Sequence, residues 1–179
     1  YEEIFRMLES VIAENHKALE LGFNYAKNTF TCPLNFTIES KDLNQDKILF
    51  NGNDAMALGA IYGGAVLLAW YPIAPSTSSA DSFRKYAEKY RIDKETGKKN
   101  FAILQTEDEI SAIGAVIGSF WNGARAFTTT SGPGLSLMTE LLGLAYFTET
   151  PCVIFNVERV GPSTGMPTRT QQADLISCA

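Results

Sequence analysis

The stretch from Gln105 to Gly134 constrains this chain more than any other. An apolar run, Phe101 to Leu104, leads into three clustered acids, Glu107, Asp108 and Glu109. Small and apolar residues then recur at helical spacing through Ile110, Ala112, Ile113, Gly114 and Gly118. A second strand, Ala126 to Thr130, runs straight into Ser131-Gly132-Pro133-Gly134. Strand, helix, strand and a glycine-rich loop make one parallel crossover unit. Sheets of that kind place ligands outside the carboxyl ends of their strands. Both the acid cluster and the Gly-Pro-Gly loop lie at that end.

Around this unit the pattern alternates. Residues 1–28 carry Ile4, Phe5, Leu8, Val11, Ile12, Leu19 and Phe23 between Glu, Lys and Arg, which predicts an amphipathic docking helix with His16 on its surface. Asn28 to Gln45 is polar, holds Pro33 and reads as a connector. Lys47 to Phe50 reads as a short strand. Asn51-Gly52-Asn53-Asp54 then offers turn residues and a cap for a helix over Ala55 to Ala65. Val66 to Ile73 is the next strand, ending in Tyr71-Pro72-Ile73-Ala74-Pro75-Ser76-Thr77. Its prolines fix a bend, and the hydroxyls beyond can donate to an anion or cap the helix from Ala80 to about Arg91. After the central unit, Leu137, Met138, Leu141, Leu142 and Tyr146 mark a core-packed helix over Leu135 to Thr148. Cys152 to Val157 is the last strand. The fold class is therefore α/β, a mainly parallel sheet flanked by helices with an additional N-terminal helix. The expected divisions are 1–30 for that helix, 31–46 for a linker and 47–179 for the α/β domain.

Composition removes several classes of function. Apolar residues make up 45% of the chain and charged ones 20%, the balance of a protein with a real core. A formal charge of -5 leaves no nucleic-acid surface, which needs clustered Lys and Arg to displace counterions. The densest basic run, Lys94 to Lys99, includes Glu95 and reads as a solvated loop. No apolar stretch approaches the roughly 18 residues of a membrane span, and residues 1–15 lack the apolar centre of a signal peptide, so no membrane role is expected. Cys32, Cys152 and Cys178 are too scattered for a disulfide framework, a metal site or an iron–sulfur site. A reducing, cytoplasmic setting is expected. The chain starts at Tyr1 rather than Met and is expected to be part of a longer protein.

Gly161-Pro162-Ser163-Thr164-Gly165 formally matches a nucleophile elbow, but the one histidine, His16, lies upstream of that serine, where a hydrolase needs it downstream. There is no Walker loop, and Gly63-Gly64 is no dinucleotide fingerprint. The chemistry must come from few ionisable groups: Glu107, Asp108, Glu109 and Arg159. Glu109 has two readings. Thr106-x-x-Glu109 is a capping box, which would make the glutamate structural. The small apolar residues that follow place the same carboxylate at a closed interface, where it needs a strong donor such as a protonated heterocycle. Arg159, too, is either a salt-bridge residue or, at a buried strand's tip, a carboxylate fork.

At these residues the sequence resembles the pyrimidine-binding domain of thiamine-diphosphate enzymes, through Glu109, Gly118, Gly123-Ala124-Arg125 and Thr130-Ser131-Gly132-Pro133-Gly134. More narrowly it resembles the α subunit of 2-oxoacid:ferredoxin oxidoreductases of the 2-oxoglutarate type. Three motifs in order carry this: Tyr71-Pro72-Ile73-Ala74-Pro75-Ser76-Thr77, Thr130 to Gly134, and Val157-Glu158-Arg159-Val160-Gly161-Pro162-Ser163-Thr164-Gly165 with Pro167-Thr168 and Gln172-Ala173-Asp174-Leu175. Residues 1–30 resemble the end of the γ segment that precedes the α region in fused enzymes.

The resemblance implies that Glu109 is catalytic, bonding the cofactor's aminopyrimidine and favouring the imino tautomer that deprotonates the thiazolium carbon. It implies cofactor contacts at Tyr71, Pro72, Ile73, Ser131, Gly132, Pro133 and Gly134, and a substrate carboxylate on Arg159. Ala74 replaces a threonine of the family's pattern, leaving Ser76 or Thr77 to supply a hydroxyl near the substrate. The chain has neither Gly-Asp-Gly with its downstream Asn nor a cysteine cluster. The diphosphate's magnesium and the iron–sulfur centre are therefore expected on a partner β subunit, with ferredoxin, a 2-oxoacid and coenzyme A as the other partners. Two alternatives remain: another thiamine-diphosphate decarboxylase or synthase, or a non-catalytic scaffold remnant.

Overall fold

A computed structural model describes residues 2–159 apart from Cys32, Asn35 and Thr37. The chain divides into two compact units, 1–47 and 48–179. In the first, one long helix, α1 (Glu2–Thr29), follows the predicted periodicity, and His16 with Val11, Ile12, Leu19 and Phe23 is exposed.

The second unit runs α2 (Gly52–Tyr62), β1 (Leu67–Trp70), α3 (Thr77–Tyr90), β2 (Ala102–Gln105), α4 (Glu109–Trp121), β3 (Ala126–Thr130), α5 (Gly132–Phe147) and β4 (Ile154–Asn156). The four strands form one parallel sheet in the order β2-β1-β3-β4. The chain thus moves to one side after β1 and to the other after β3. Right-handed crossovers require the helices to change face when that direction reverses, and they do. Leu68, Trp70 and Phe127 point toward α2 and α3, where Ala57, Ile61, Ala80, Phe83 and Ala87 complete one core. Ala69 and Ala126, on the opposite side of the pleat, meet Ala112, Ile113, Val116 and Ile117 of α4 and Met138 and Ala145 of α5.

Local chemistry sets most boundaries. The Asn51 side chain accepts from the Asp54 amide at 2.8 Å and starts α2. In α3, Ala80, Phe83 and Ala87 recur on one face and are all buried. Two expectations are corrected. Lys47 to Phe50 is not a strand: its side chains are exposed, and it joins no ladder among the described residues. The helix expected from Leu135 begins at Gly132, because Pro133 carries a preset φ and lacks an N–H that a first turn cannot use anyway. The Gly-Pro-Gly segment is thus the start of α5 rather than a loose loop. Lys94 to Lys99 is exposed as read, in an excursion closed by the Ile92–Lys99 bridge.

Candidate functional site

β1 and β3 are neighbours whose continuations part in opposite directions, so a crevice opens between their carboxyl ends. The segment after β1 (Tyr71 to Ser76) and the segment after β3 (Ser131 to Gly134) form its rims, and β2 delivers the start of α4 beside them.

Glu109 is the first residue of α4, capped by Asp108, whose carboxylate accepts from the Ser111 amide at 2.6 Å. That correction removes the capping-box reading. The Thr106 amide is already spent on the Trp70 carbonyl at 2.9 Å, and its hydroxyl donates to the Asp108 carbonyl at 2.8 Å. Neither group is left for Glu109, which stands one residue past the cap instead of three. The Ser111 amide bond also holds the Asp108 carboxyl below its usual range.

Released from that task, the Glu109 side chain is buried, with 7% of its surface exposed. No hydrogen bond or ion pair among the described residues ends on its carboxylate. It lies against Gly134 in the first turn of α5: a Cβ built on that glycine would stand 2.7 Å from Glu109 Cγ and 2.9 Å from Oε1, and would overlap Thr130 Oγ1. The Glu109 oxygens are not fully enclosed, so the carboxylate opens on the crevice without a donor among the described residues, and closing the crevice would be costly unless a partner supplied one.

A second group of residues converges on one carbonyl. Arg159, 8% exposed, donates from Nη1 to the Ala74 oxygen at 2.8 Å, and Ser131 Oγ reaches the same oxygen at 3.4 Å. Three segments far apart in sequence are thereby tied together above the sheet. The Ala74–Pro75 peptide is cis. The Ser76 and Thr77 hydroxyls turn back to the Ile73 carbonyl at 2.9 and 3.3 Å, so they brace the turn and give α3 no side-chain cap. Ser76 is buried, whereas Tyr71, Pro72 and Ala74 are exposed and Ile73 is half-buried. Gly132 and Gly134 are buried and Pro133 half-buried.

The predicted site residues therefore gather at one end of the sheet, Glu109 with Gly134 and Arg159 with Ala74 and Ser131. Gly161 to Gly165 and Gln172 to Leu175 lie outside the described residues. Asn53 was read only as a turn residue, yet its amide donates to the Pro75 carbonyl at 3.2 Å and lies 2.6 Å from Ser78 Oγ, pinning the rim to α2. Nothing local marks a contact across 22 positions. A cavity of about 350 Å³ lined by Gly59, Phe120, Arg125, Phe127, Val153 and Phe155 lies at the opposite end of the sheet, away from these groups. Gly123 and Arg125 also sit there, Arg125 donating to the Gly63 carbonyl at 2.8 Å.

Residues 58–179 match the family described as pyruvate flavodoxin/ferredoxin oxidoreductase, thiamine diphosphate-binding. The chain is 48% identical over 127 residues to the 2-oxoglutarate synthase subunit KorA of Methanocaldococcus jannaschii, covering 71% of this chain and 32% of that protein. It is 41% identical over 177 residues to subunit alpha of 2-oxoacid:ferredoxin oxidoreductase 2 of Aeropyrum pernix, covering 94% of this chain and 27% of that one. Among solved structures, the 2-oxoglutarate:ferredoxin oxidoreductase of Magnetococcus marinus with 2-oxoglutarate, coenzyme A and succinyl-CoA bound matches with a TM-score of 0.66 at 38% identity, over 93% of this chain and 27% of that one. The chain thus spans roughly a quarter to a third of the length of these proteins. Its parallel sheet, the crevice at the strand ends and these likenesses together show that it belongs to the thiamine-diphosphate-binding pyruvate flavodoxin/ferredoxin oxidoreductase family.

Proposed function

We propose that this chain is the pyrimidine-binding part of the α subunit of a 2-oxoacid:ferredoxin oxidoreductase whose substrate is 2-oxoglutarate. The observation that carries this is Glu109, whose side chain is 7% exposed with no donor on its carboxylate among the described residues, seated at the carboxyl ends of the strands. An aminopyrimidine ring nitrogen that must hold a proton is the donor such a group lacks, so the residues present fit thiamine diphosphate. When bound, that cofactor supplies the electron sink for loss of carbon dioxide from a 2-oxoacid.

The chain's own residues orient and exclude water. Glu109 would hold the proton at the ring nitrogen, and the enclosure that cofactor and partner complete would strengthen that bond. Ser131 and the first turn of α5 form the cofactor's wall with Tyr71, Pro72 and Ile73 of the facing rim. Arg159, anchored on the Ala74 carbonyl, serves the substrate carboxylate, and Ser76 and Thr77 hold the turn beside it. In the whole enzyme ferredoxin would take the electrons and coenzyme A the acyl group.

In this reading magnesium, the diphosphate and the iron–sulfur centre belong to a partner β subunit. The outward faces of α4 and α5 support a protein partner: Ile110, Trp121, Leu137, Leu144, Tyr146 and Phe147 are all exposed. Helices apolar on both sides are covered on both sides. In this reading residues 1–30 end a γ-like segment, 31–46 link it, and 47–179 form the pyrimidine-binding domain, the division near residue 47 being in support. A cytoplasmic setting suits a free thiol at Cys152, and among the described residues no helix is long and apolar enough to cross a membrane.

The test is Glu109→Gln in the full-length α subunit assembled with its β subunit. Reduction of ferredoxin with 2-oxoglutarate and coenzyme A should fall by about 100-fold or more, the size of a lost acid–base group. Unchanged turnover would remove the proposal.

A further inference from the structure

Gly134 lies in the interior of the first turn of α5. A glycine there lowers helix stability relative to alanine, so its presence calls for a reason. Backbone freedom is not the reason. The glycines with positive φ among the described residues are Gly64, Gly97 and Gly123. An open surface for a ligand is not the reason either. A Cβ on Gly118 would meet nothing within 4 Å, whereas one on Gly134 would stand 2.7 Å from Glu109 Cγ, 2.9 Å from its Oε1, and inside Thr130 Oγ1. The direction in which a side chain would grow is filled by the glutamate and by the last threonine of β3.

We infer that Gly134 is a positioning residue for Glu109. The missing side chain is the seat of the carboxylate, and Thr130 is the seat's other wall. Glu109 comes from the start of α4 and Gly134 from the start of α5, two helices that pack side by side. The depth at which the carboxylate stops is therefore set by how closely the first turn of α5 approaches. A methyl group at 134 displaces the carboxylate by about the length of a carbon–carbon bond. Displacements of that order at reacting groups cost about 100-fold in rate. The inference rests on the reading of Glu109 as the cofactor's partner for its catalytic consequence only; the packing stands without it.

The experiment measures Gly134→Ala in cofactor-free, full-length assembled enzyme in two backgrounds, Thr130→Ala and Thr130→Ala with Glu109→Ala. The substitution is expected to lower the apparent Tm by about 3 °C or more in the first background. In the second it should have no effect or raise Tm, because the clashing atoms are gone and alanine favours the helix. If Gly134→Ala does not fold in the Thr130→Ala background, recovery of folded protein on adding Glu109→Ala to that pair shows the same coupling, and no recovery overturns the inference. In the loaded enzyme, Gly134→Ala should lower kcat by about 100-fold with KM for 2-oxoglutarate within about threefold, and should not deepen the defect of Glu109→Gln. Equal Tm changes in both backgrounds overturn the inference, as do losses that multiply. Full activity in Glu109→Gln would instead overturn the catalytic reading and leave the Tm coupling to be judged by itself.

Discussion

Asp108, Glu109 and Arg159 show how neighbouring charges take unlike tasks from their surroundings. Asp108 is half-buried and bonded to the Ser111 amide, which holds its carboxyl below the ordinary value. A depressed folded-state value means stabilisation that is present above the unfolded carboxyl range and lost as pH falls through the folded one. Asp108→Ala should therefore lower Tm at neutral pH, and its difference from wild type should shrink below about pH 4. Asp108→Asn keeps the acceptor without the charge and should flatten that pH dependence, which thermal melts across pH will read. Arg159 is buried with one donor committed to the Ala74 carbonyl. Arg159→Lys keeps the charge but loses the planar fork. It should raise KM for the 2-oxoacid by about tenfold or more, while Arg159→Ala should also loosen the rim and lower Tm. Steady-state kinetics on the assembled enzyme separate the two effects.

Among the elements, α5 is the most divided. Met138 is buried against α4 and the sheet, while Leu137, one position earlier, is half exposed. Met138→Ala should cost about 2–5 kcal/mol in urea unfolding of the full-length chain. Leu137→Ala should cost little until a partner covers that face, and should then weaken assembly. Of the residues whose spacing marked them as this helix's core, Met138 is buried and Leu141 and Leu142 are half-buried, but Leu137 and Tyr146 are exposed. Spacing does not say which side of a helix apolar on both sides meets the sheet. β3 was legible, its residues Ala126 to Thr130 read without error because the β-branched run stops at Ser131-Gly132. The start of α5 was not legible, since Gly-Pro-Gly reads as a loop until the first-turn tolerance for Pro133 is counted. Lys47 to Phe50 failed as a strand because a strand depends on a neighbour that local pattern cannot report. The capping box at Thr106 failed for the same kind of reason: its amide was claimed by Trp70, 36 positions away. Glu109, Arg159 and the two rims were readable as motifs. Gly134 as a seat, and Asn53 as a tie to Pro75, were not, because each depends on segments that only the fold brings together.

At the level of the molecule, the order β2-β1-β3-β4 sets β1 beside β3 and leaves a crevice at their carboxyl ends, where the proposed reading seats the cofactor. In the proposed reading the described residues supply half of a site, with exposed apolar helix faces beside it. The full-length α subunit alone should reduce no ferredoxin, and adding the β subunit with magnesium and thiamine diphosphate should restore turnover. The decisive measurement is the rate at which enzyme-bound thiamine diphosphate exchanges its thiazolium C2 hydrogen for deuterium, compared between wild type and Glu109→Gln in the assembled enzyme. With Glu109 acting on the cofactor, exchange in Glu109→Gln should be at least about 100-fold slower at undiminished cofactor occupancy. Equal exchange rates at equal occupancy would show that this carboxylate plays no part in activating the cofactor.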